Sequence, residues 1–324
     1  LKIENCELKI KAVKMIQPEV INKNVWSRLN KIHTQNRVSG AYLFVGPRGT
    51  GKLDIALDFL ELDEKLKRQR ALIKAGAHPD VILVRPEIEE KKGKVREKQI
   101  SIDQIKEALK MFSYFSQEAS RKFLIIQSIE KLTLTASNSL LKTVEELSGN
   151  SVVIFTASGE GGVLDTIKSR CQRIFFNLKN DEEIERFLEN QQSDLSPEIL
   201  ESIVFLARGR IKEAQRFLEN SDYREIHLEK LEEFKKALRG DLKAGFQIAS
   251  NDTKDKQAFA EYLVDWIYYL NSFLKKNVLE EKDIRIQKKV FEISEKLNEA
   301  RETMRTNQNV NARLLLENFF VQIK

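Results

Sequence analysis

Between Ala41 and Leu178 short apolar runs of strand length alternate with longer stretches whose apolar residues recur at helical spacing. That alternation is the pattern of a parallel sheet covered by helices, because strands buried on both faces read as continuous apolar runs. Five runs qualify: Ala41–Val45, Val81–Val84, Lys122–Ile126, Ser151–Ala157 and residues 173–178. Between them, 53–75 and 102–113 carry helical spacing, and Ser101, with Asp103 and Gln104 behind it, opens the second helix. Residues 89–98, rich in Lys and Glu around Gly93, read as a solvated hairpin or loop.

Past Leu178 the strand pattern stops. Residues 181–190 and 196–220 read as short helices split by 191–195, and Ser196-Pro197-Glu198 opens the second with a capping Ser and a Pro at the first helical position. From about Ser221 the pattern is helical throughout, with an apolar stripe of Phe259, Tyr262, Leu263, Trp266, Ile267 and Leu270. This stripe, and another from Leu314 to Val321, suits a partner surface or burial within its own domain equally well. The organisation expected is an α/β domain over 1–178, a small helical domain over 179–221 and a larger helical one over 222–324.

Composition narrows the class. The chain has 324 residues, 32% of them charged, and no apolar run approaches the ~20 residues of a membrane span. Residues 1–14 mix charged and apolar positions without a signal-peptide core, so a cytoplasmic protein is expected. Cys6 and Cys171 are too few for a disulfide framework or a sulfur-rich metal site, and no metal site is readable. The net charge of +6 suits contact with nucleic acid or with other proteins.

The chemistry concentrates at Gly46-Pro47-Arg48-Gly49-Thr50-Gly51-Lys52-Leu53, between a buried strand pattern and a helix. This G-x-x-x-x-G-K frame turns backbone N–H groups and a lysine toward a phosphate, but Leu53 replaces the Ser/Thr whose hydroxyl holds Mg²⁺. A second buried strand, Lys122–Ile126, runs into Gln127 where a metal-binding Asp belongs, and a neutral amide does not replace a carboxylate on a divalent cation. Glu130, just beyond, reads more simply as a surface residue than as a catalytic base. Arg170 lies before the last strand, in a loop where an arginine can project from the domain edge and stabilise a transferring phosphoryl group; read alone, it fits a surface or salt-bridge arginine better.

Several segments resemble the delta-prime family of clamp-loader subunits of bacterial DNA polymerase III, within the AAA+ proteins. They are the phosphate loop, His78-Pro79-Asp80 before Val81–Val84, Asn138-Ser139-Leu140-Leu141-Lys142-Thr143-Val144-Glu145-Glu146, and Thr166 to Gln172 with its Ser169-Arg170-Cys171. Residues 309–317, from Asn309 to Glu317, resemble the end of that family's helical collar. The resemblance implies a five-stranded parallel AAA+ domain, a helical lid and an all-α collar that joins subunits into a hetero-oligomeric ring. It implies that Arg170 acts in trans on nucleotide held by a neighbour, with Ser169 and Cys171 positioning its loop, and that Thr156 matches a γ-phosphate-sensing position. Lys212 stands where the family's lid carries a sensing Arg, and lacks that residue's planar fork. Residues 60–77 have none of the cysteines of the zinc module many relatives carry, so no zinc is expected. Gly159-Glu160-Gly161-Gly162 replaces the family's Glu-Pro, which predicts a looser approach to Arg170.

The implied function is a loader subunit without ATPase activity of its own. Its implied partners are the motor subunits (gamma/tau) and delta, with the sliding clamp and primed DNA reached through the complex. No cofactor is required on this reading, although weak ATP, ADP or phosphate binding at the loop is compatible with it. Two alternatives stay open at this level: an active motor subunit or other P-loop NTPase that tolerates Leu53, and a basic nucleic-acid-binding module with a vestigial loop.

Overall fold

A computed structural model describes residues 16–91, 94–114, 116–147, 149–280, 283–306 and 310–323. The segment 1–14 with Cys6, Gly93 and Asn309 lie outside the described residues. In chain order the first part runs α1 (Pro18–Thr34), β1 (Ala41–Val45), α2 (Lys52–Leu60), α3 (Arg70–Lys74), β2 (Val81–Val84), β3 (Ile88–Lys91) and β4 (Lys94–Glu97). It continues through α4 (Ile102–Phe112), β5 (Lys122–Ile126), α5 (Leu134–Glu145), β6 (Ser151–Ala157), α6 (Asp165–Lys168) and β7 (Gln172–Phe175). The chain divides into two compact units, one running up to Pro86 and over Gln99–Leu178, the other comprising Glu87–Lys98 and Lys179–Lys324.

The first unit holds a five-stranded sheet in the order β2-β5-β6-β1-β7, every neighbouring pair parallel. β1 and β5 are buried along their whole length, which is why they read as unbroken apolar runs. Helix α4 opens with a reciprocal cap: Ser101 Oγ accepts the Gln104 N–H and Gln104 Oε1 accepts the Ser101 N–H. β3 and β4 form the antiparallel hairpin expected of 89–98.

Two expectations shift. The last strand stops at Phe175 and not at 178, because its ladder partner β1 ends at Val45 and turns into the phosphate loop; the Phe176 N–H makes the last bond, to Val45 O at 2.7 Å. The helix expected over 53–75 is two helices. Arg68 adopts a left-handed φ of 65°, and the chain folds back so that buried Arg70 reaches Asp58, whose carboxyl burial pushes up to about 6 against the pull of that guanidinium. α1 carried no expectation; it kinks at Asn22, whose Oδ1 caps the Val25 N–H at 3.1 Å, and buries Ile21, Val25, Trp26 and Leu29.

His78-Pro79-Asp80 is a latch at the start of β2, beside the segment that leads into β5. The Asp80 side chain is fully buried and accepts the backbone N–H groups of Gln117, Glu118 and Ala119 at 2.6–2.7 Å, while His78 Nδ1 accepts the N–H of Asp80 at 3.0 Å. Burial alone would raise the Asp80 pKa, but the three donors carry it below its ordinary value.

The second unit contains α7 (Asp181–Gln191), α8 (Pro197–Ala207), α9 (Ile211–Glu219), α10 (Ser221–Leu238), α11 (Leu242–Asn251), α12 (Lys256–Leu279), α13 (Ile284–Thr306) and α14 (Ala312–Gln322). The stretch 196–220 is therefore not one helix: Arg208 and Gly209, at φ 52° and 72°, end α8, and the Gly209 carbonyl is taken by the Lys179 N–H. The α12 stripe goes inward. Phe259, Leu263, Trp266, Ile267 and Leu270 are buried, Trp266 stacks on Phe234 with centroids 4.6 Å apart, and its indole N–H reaches Lys230 O at 3.1 Å. The last stripe splits, with Leu316, Phe319 and Phe320 buried but Leu314 and Val321 exposed. Within this unit Asp265, buried, takes the His227 ring at 2.5 Å and the Arg208 guanidinium at 3.0 Å.

Asp80→Asn is expected to cost about 1–3 kcal/mol at neutral pH, because a buried carboxylate that accepts three backbone N–H groups loses one acceptor oxygen. Since the folded carboxyl has the lower pKa, that contribution is present above the unfolded value of about 4 and is lost as pH falls through the folded one. Urea midpoints at pH 7 and pH 3 should show the gap between wild type and variant closing at low pH; a constant gap would contradict the latch.

Candidate functional site

The phosphate loop begins where β1 runs out. Gly46 donates its N–H to Ala157 O of β6 at 3.1 Å, and a Cβ there would overlap the Phe176 carbonyl oxygen on the other side. Gly51, at φ 82°, leads into α2 and faces Ile21, whose methyl occupies the space a side chain would need. Thr50, buried, donates its hydroxyl to Pro47 O at 2.8 Å. Lys52 closes the loop on itself, its ammonium donating to Gly46 O at 2.5 Å and Pro47 O at 2.7 Å. Burial pushes the Lys52 pKa down to about 8; Glu130 opposes that shift and Arg48 adds to it. Gly49, at φ 80°, makes the remaining turn, and Leu53 lies half-buried in the first turn of α2.

Gln127 follows β5 and extends its ladder, donating its N–H to Val84 O at 2.9 Å. Ser128, at a left-handed φ of 58°, gives its N–H to the hydroxyl of buried Thr156 at 3.1 Å, so Thr156 ties the ends of β5 and β6 together. Glu130 is not a surface residue. It sits half-buried in a 3-10 turn, Ile129–Lys131, with Oε1 accepting the Ser158 N–H at 3.2 Å and Oε2 buried without a hydrogen-bond partner. Gly162 packs directly on it: a Cβ at Gly162 would lie 2.7 Å from the Glu130 Cβ. The segment expected to be loose is thus a 3-10 turn, Glu160–Gly162, seated on Glu130 and tied through Glu160 to Arg173 at 3.0 Å.

The loop 46–53, Gln127 and Thr156 therefore gather at the carboxyl end of the sheet, where open α/β sheets take their ligands. The site residues expected to hold metal offer neither a hydroxyl nor a carboxylate, since positions 53 and 127 are Leu and Gln. Among the described residues no cluster of three His, Cys, Asp or Glu has metal-binding geometry.

Arg170 lies at the other end. It precedes β7, whose first residue Gln172 pairs with Tyr42 near the start of β1, so it stands at the amino edge of the sheet. Ile167 on one side is buried in the core and half-buried Cys171 on the other packs against it, its thiol pushed up to about 12 by burial. Arg170 between them is exposed on α5: Nη2 meets Glu145 Oε1 at 2.6 Å and Nη1 donates to Thr166 O at 2.9 Å. Ser169 Oγ donates to Thr166 O at 3.1 Å and tightens the same turn. Lys212 lies in α9 of the second unit and donates to Gln215 Oε1 at 2.8 Å. Residue reading missed Glu145 as a partner of Arg170, although it falls within the quoted segment 138–146.

Residues 21–180 match the sequence model of a family described as DNA polymerase III, delta subunit. The delta' subunit of DNA polymerase III from Pseudomonas aeruginosa is 26% identical over 324 aligned residues, covering 92% of this chain and 94% of that protein. The chain is thus similar to delta-prime clamp-loader subunits of DNA polymerase III, in one case over nearly the full length of both proteins. The Bacillus subtilis delta' subunit is 31% identical over 66% of this chain and 63% of its own length. In fold, the chain is similar to a gamma-subunit-related protein of DNA polymerase III from Thermotoga maritima, with a TM-score of 0.50 at 17% identity, covering 91% of this chain and 98% of that one.

Because the folded Lys52 pKa lies below its unfolded value near 10.5, the folded state sheds its proton first, and stability should rise as pH climbs from about 8 toward 10.5. Lys52→Met should lack that rise. Denaturant midpoints of both proteins at pH 7, 8.5 and 10 measure it, and parallel curves would remove Lys52 as its source.

Proposed function

We propose that this chain works in a clamp loader as a subunit that turns over no ATP itself and lends Arg170 to nucleotide bound on a neighbouring motor subunit. One observation carries the reading: the phosphate loop and Arg170 occupy opposite ends of the same sheet. β1 spans five residues, about 15 Å at the rise of a strand, and the Arg170 side chain is tied to α5 at the amino edge. Arg170 therefore cannot serve its own loop, and a phosphoryl group that it stabilises belongs to another subunit. At the carboxyl end, Leu53 and Gln127 leave two positions without the oxygen ligands that Mg²⁺ takes in working P-loop enzymes.

On this reading the loop is kept as structure. Its glycines carry the turn from β1 to α2, and Lys52 satisfies two of its carbonyls. Weak phosphate or nucleotide binding is compatible with those amides, and no zinc or other cofactor is required. The working assembly is a hetero-oligomeric cytoplasmic ring with gamma/tau motor subunits and delta, which brings this chain to the sliding clamp and primed DNA. No helix among the described residues is long and apolar enough to cross a membrane.

The chain alone is expected to show no Mg²⁺-dependent ATP turnover, and Leu53→Thr alone should not create it while Gln127 remains. In the assembled loader Arg170→Ala should leave assembly intact and lower turnover at the site it serves by about 10³-fold or more. Single-turnover hydrolysis by the reconstituted complex measures this, and unchanged rates would remove Arg170 from the mechanism.

A further inference from the structure

We propose that Glu145 is a positioning residue for Arg170, setting the orientation in which its guanidinium meets the neighbour's phosphate. The role rests on the trans reading of Arg170 above and adds a second residue to it. Two anchors, Ile167 and Cys171, hold the backbone on either side of Arg170 against the core, so the freedom left to the arginine lies in its own long side chain. That freedom is removed at the tip. Glu145, the last residue of α5, takes Nη2 at 2.6 Å, while Nη1 is turned the other way onto Thr166 O at 2.9 Å. Contacts on both terminal nitrogens fix the plane of the guanidinium as well as its position.

A guanidinium carries five N–H donors in a rigid fork, and the contacts to Glu145, to Thr166 O and, at 3.4 Å, to Ser169 Oγ leave donors over. Arg170 and Glu145 remain 38% and 47% exposed at the side chain, so the unused edge is open to an oxygen ligand from outside the domain. A phosphate can then bind without the arginine leaving α5, because bidentate recognition needs only a pre-set plane. A half-exposed ion pair holds that plane weakly, so Glu145 tunes the finger and does not create it.

The test uses the fully assembled loader with wild-type chain, Glu145→Ala, Glu145→Gln, Arg170→Ala and Glu145→Ala/Arg170→Ala, reading kcat and KM for ATP with thermal midpoints as a check on folding. Glu145→Ala is expected to lower kcat about two- to five-fold with KM unchanged, the range of a half-exposed pair. Glu145→Gln, whose amide oxygen accepts the same N–H, should recover part of it. Adding Glu145→Ala to Arg170→Ala should lower the rate no further. Unchanged or raised kcat in Glu145→Ala, or a loss that adds to that of Arg170→Ala, overturns the role while leaving Arg170 in place. Unchanged kcat in Arg170→Ala itself removes the trans reading, and the Glu145 role with it.

Discussion

The backbone passes so close to itself at Gly46 that no side chain fits between its Cα and the Phe176 carbonyl, and much of the first unit depends on that contact. There β1 ends, held by Ala157 of β6 on one side and facing Phe176 on the other. The phosphate loop starts at this point, β7 loses its ladder partner, and the chain leaves the sheet toward α7. A substitution at Gly46 would push Phe176 away from Phe44, whose rings lie 5.3 Å apart in the buried sheet. The loop glycines thus have a packing reason to exist that is independent of any nucleotide.

That independence explains how a phosphate loop can persist where positions 53 and 127 offer neither a hydroxyl nor a carboxylate. Lys52 and Thr50 satisfy the loop's own carbonyls, and Glu130 supplies the one acidic field that raises the Lys52 pKa. The same Glu130 seats the turn at Gly162 and the Ser158 amide, and so supports the segment that leads toward α6 and Arg170. One half-buried carboxylate therefore acts twice at the carboxyl end of the sheet, by charge on Lys52 and by packing under the turn that follows β6.

The second unit is stabilised by different means. Its centre is the parallel stack of Trp266 on Phe234, closed by Phe259, Leu263 and Phe320. Asp265 sits beside it with His227 and Arg208 as partners, and a buried carboxylate is tolerable only when paired in this way. Arg208 also provides the left-handed backbone position that ends α8, so one residue terminates a helix with its main chain and neutralises a buried charge with its side chain.

Most of the first unit was legible as pattern. Four strands fall where their apolar runs lie, since burial on both faces leaves no other reading, and the α4 cap follows from Ser101 and Gln104 alone. The missed boundaries share a cause: the end of β7, the break between α2 and α3 and the break after α8 are set by where a partner strand stops, where Arg70 finds Asp58, and where Gly209 meets the Lys179 N–H. Of the candidate site, Gly46 to Lys52 and Arg170 were readable because a phosphate-cradling loop and a projecting arginine demand particular residue types, and Leu53 and Gln127 because they replace a hydroxyl and a carboxylate. Sequence alone therefore determined which groups are present. Only the tertiary structure decided that Arg170 stands at the sheet's far end from its own loop and that Glu145 pairs with it, because distance and direction across a sheet depend on strand order, which residue identity does not contain.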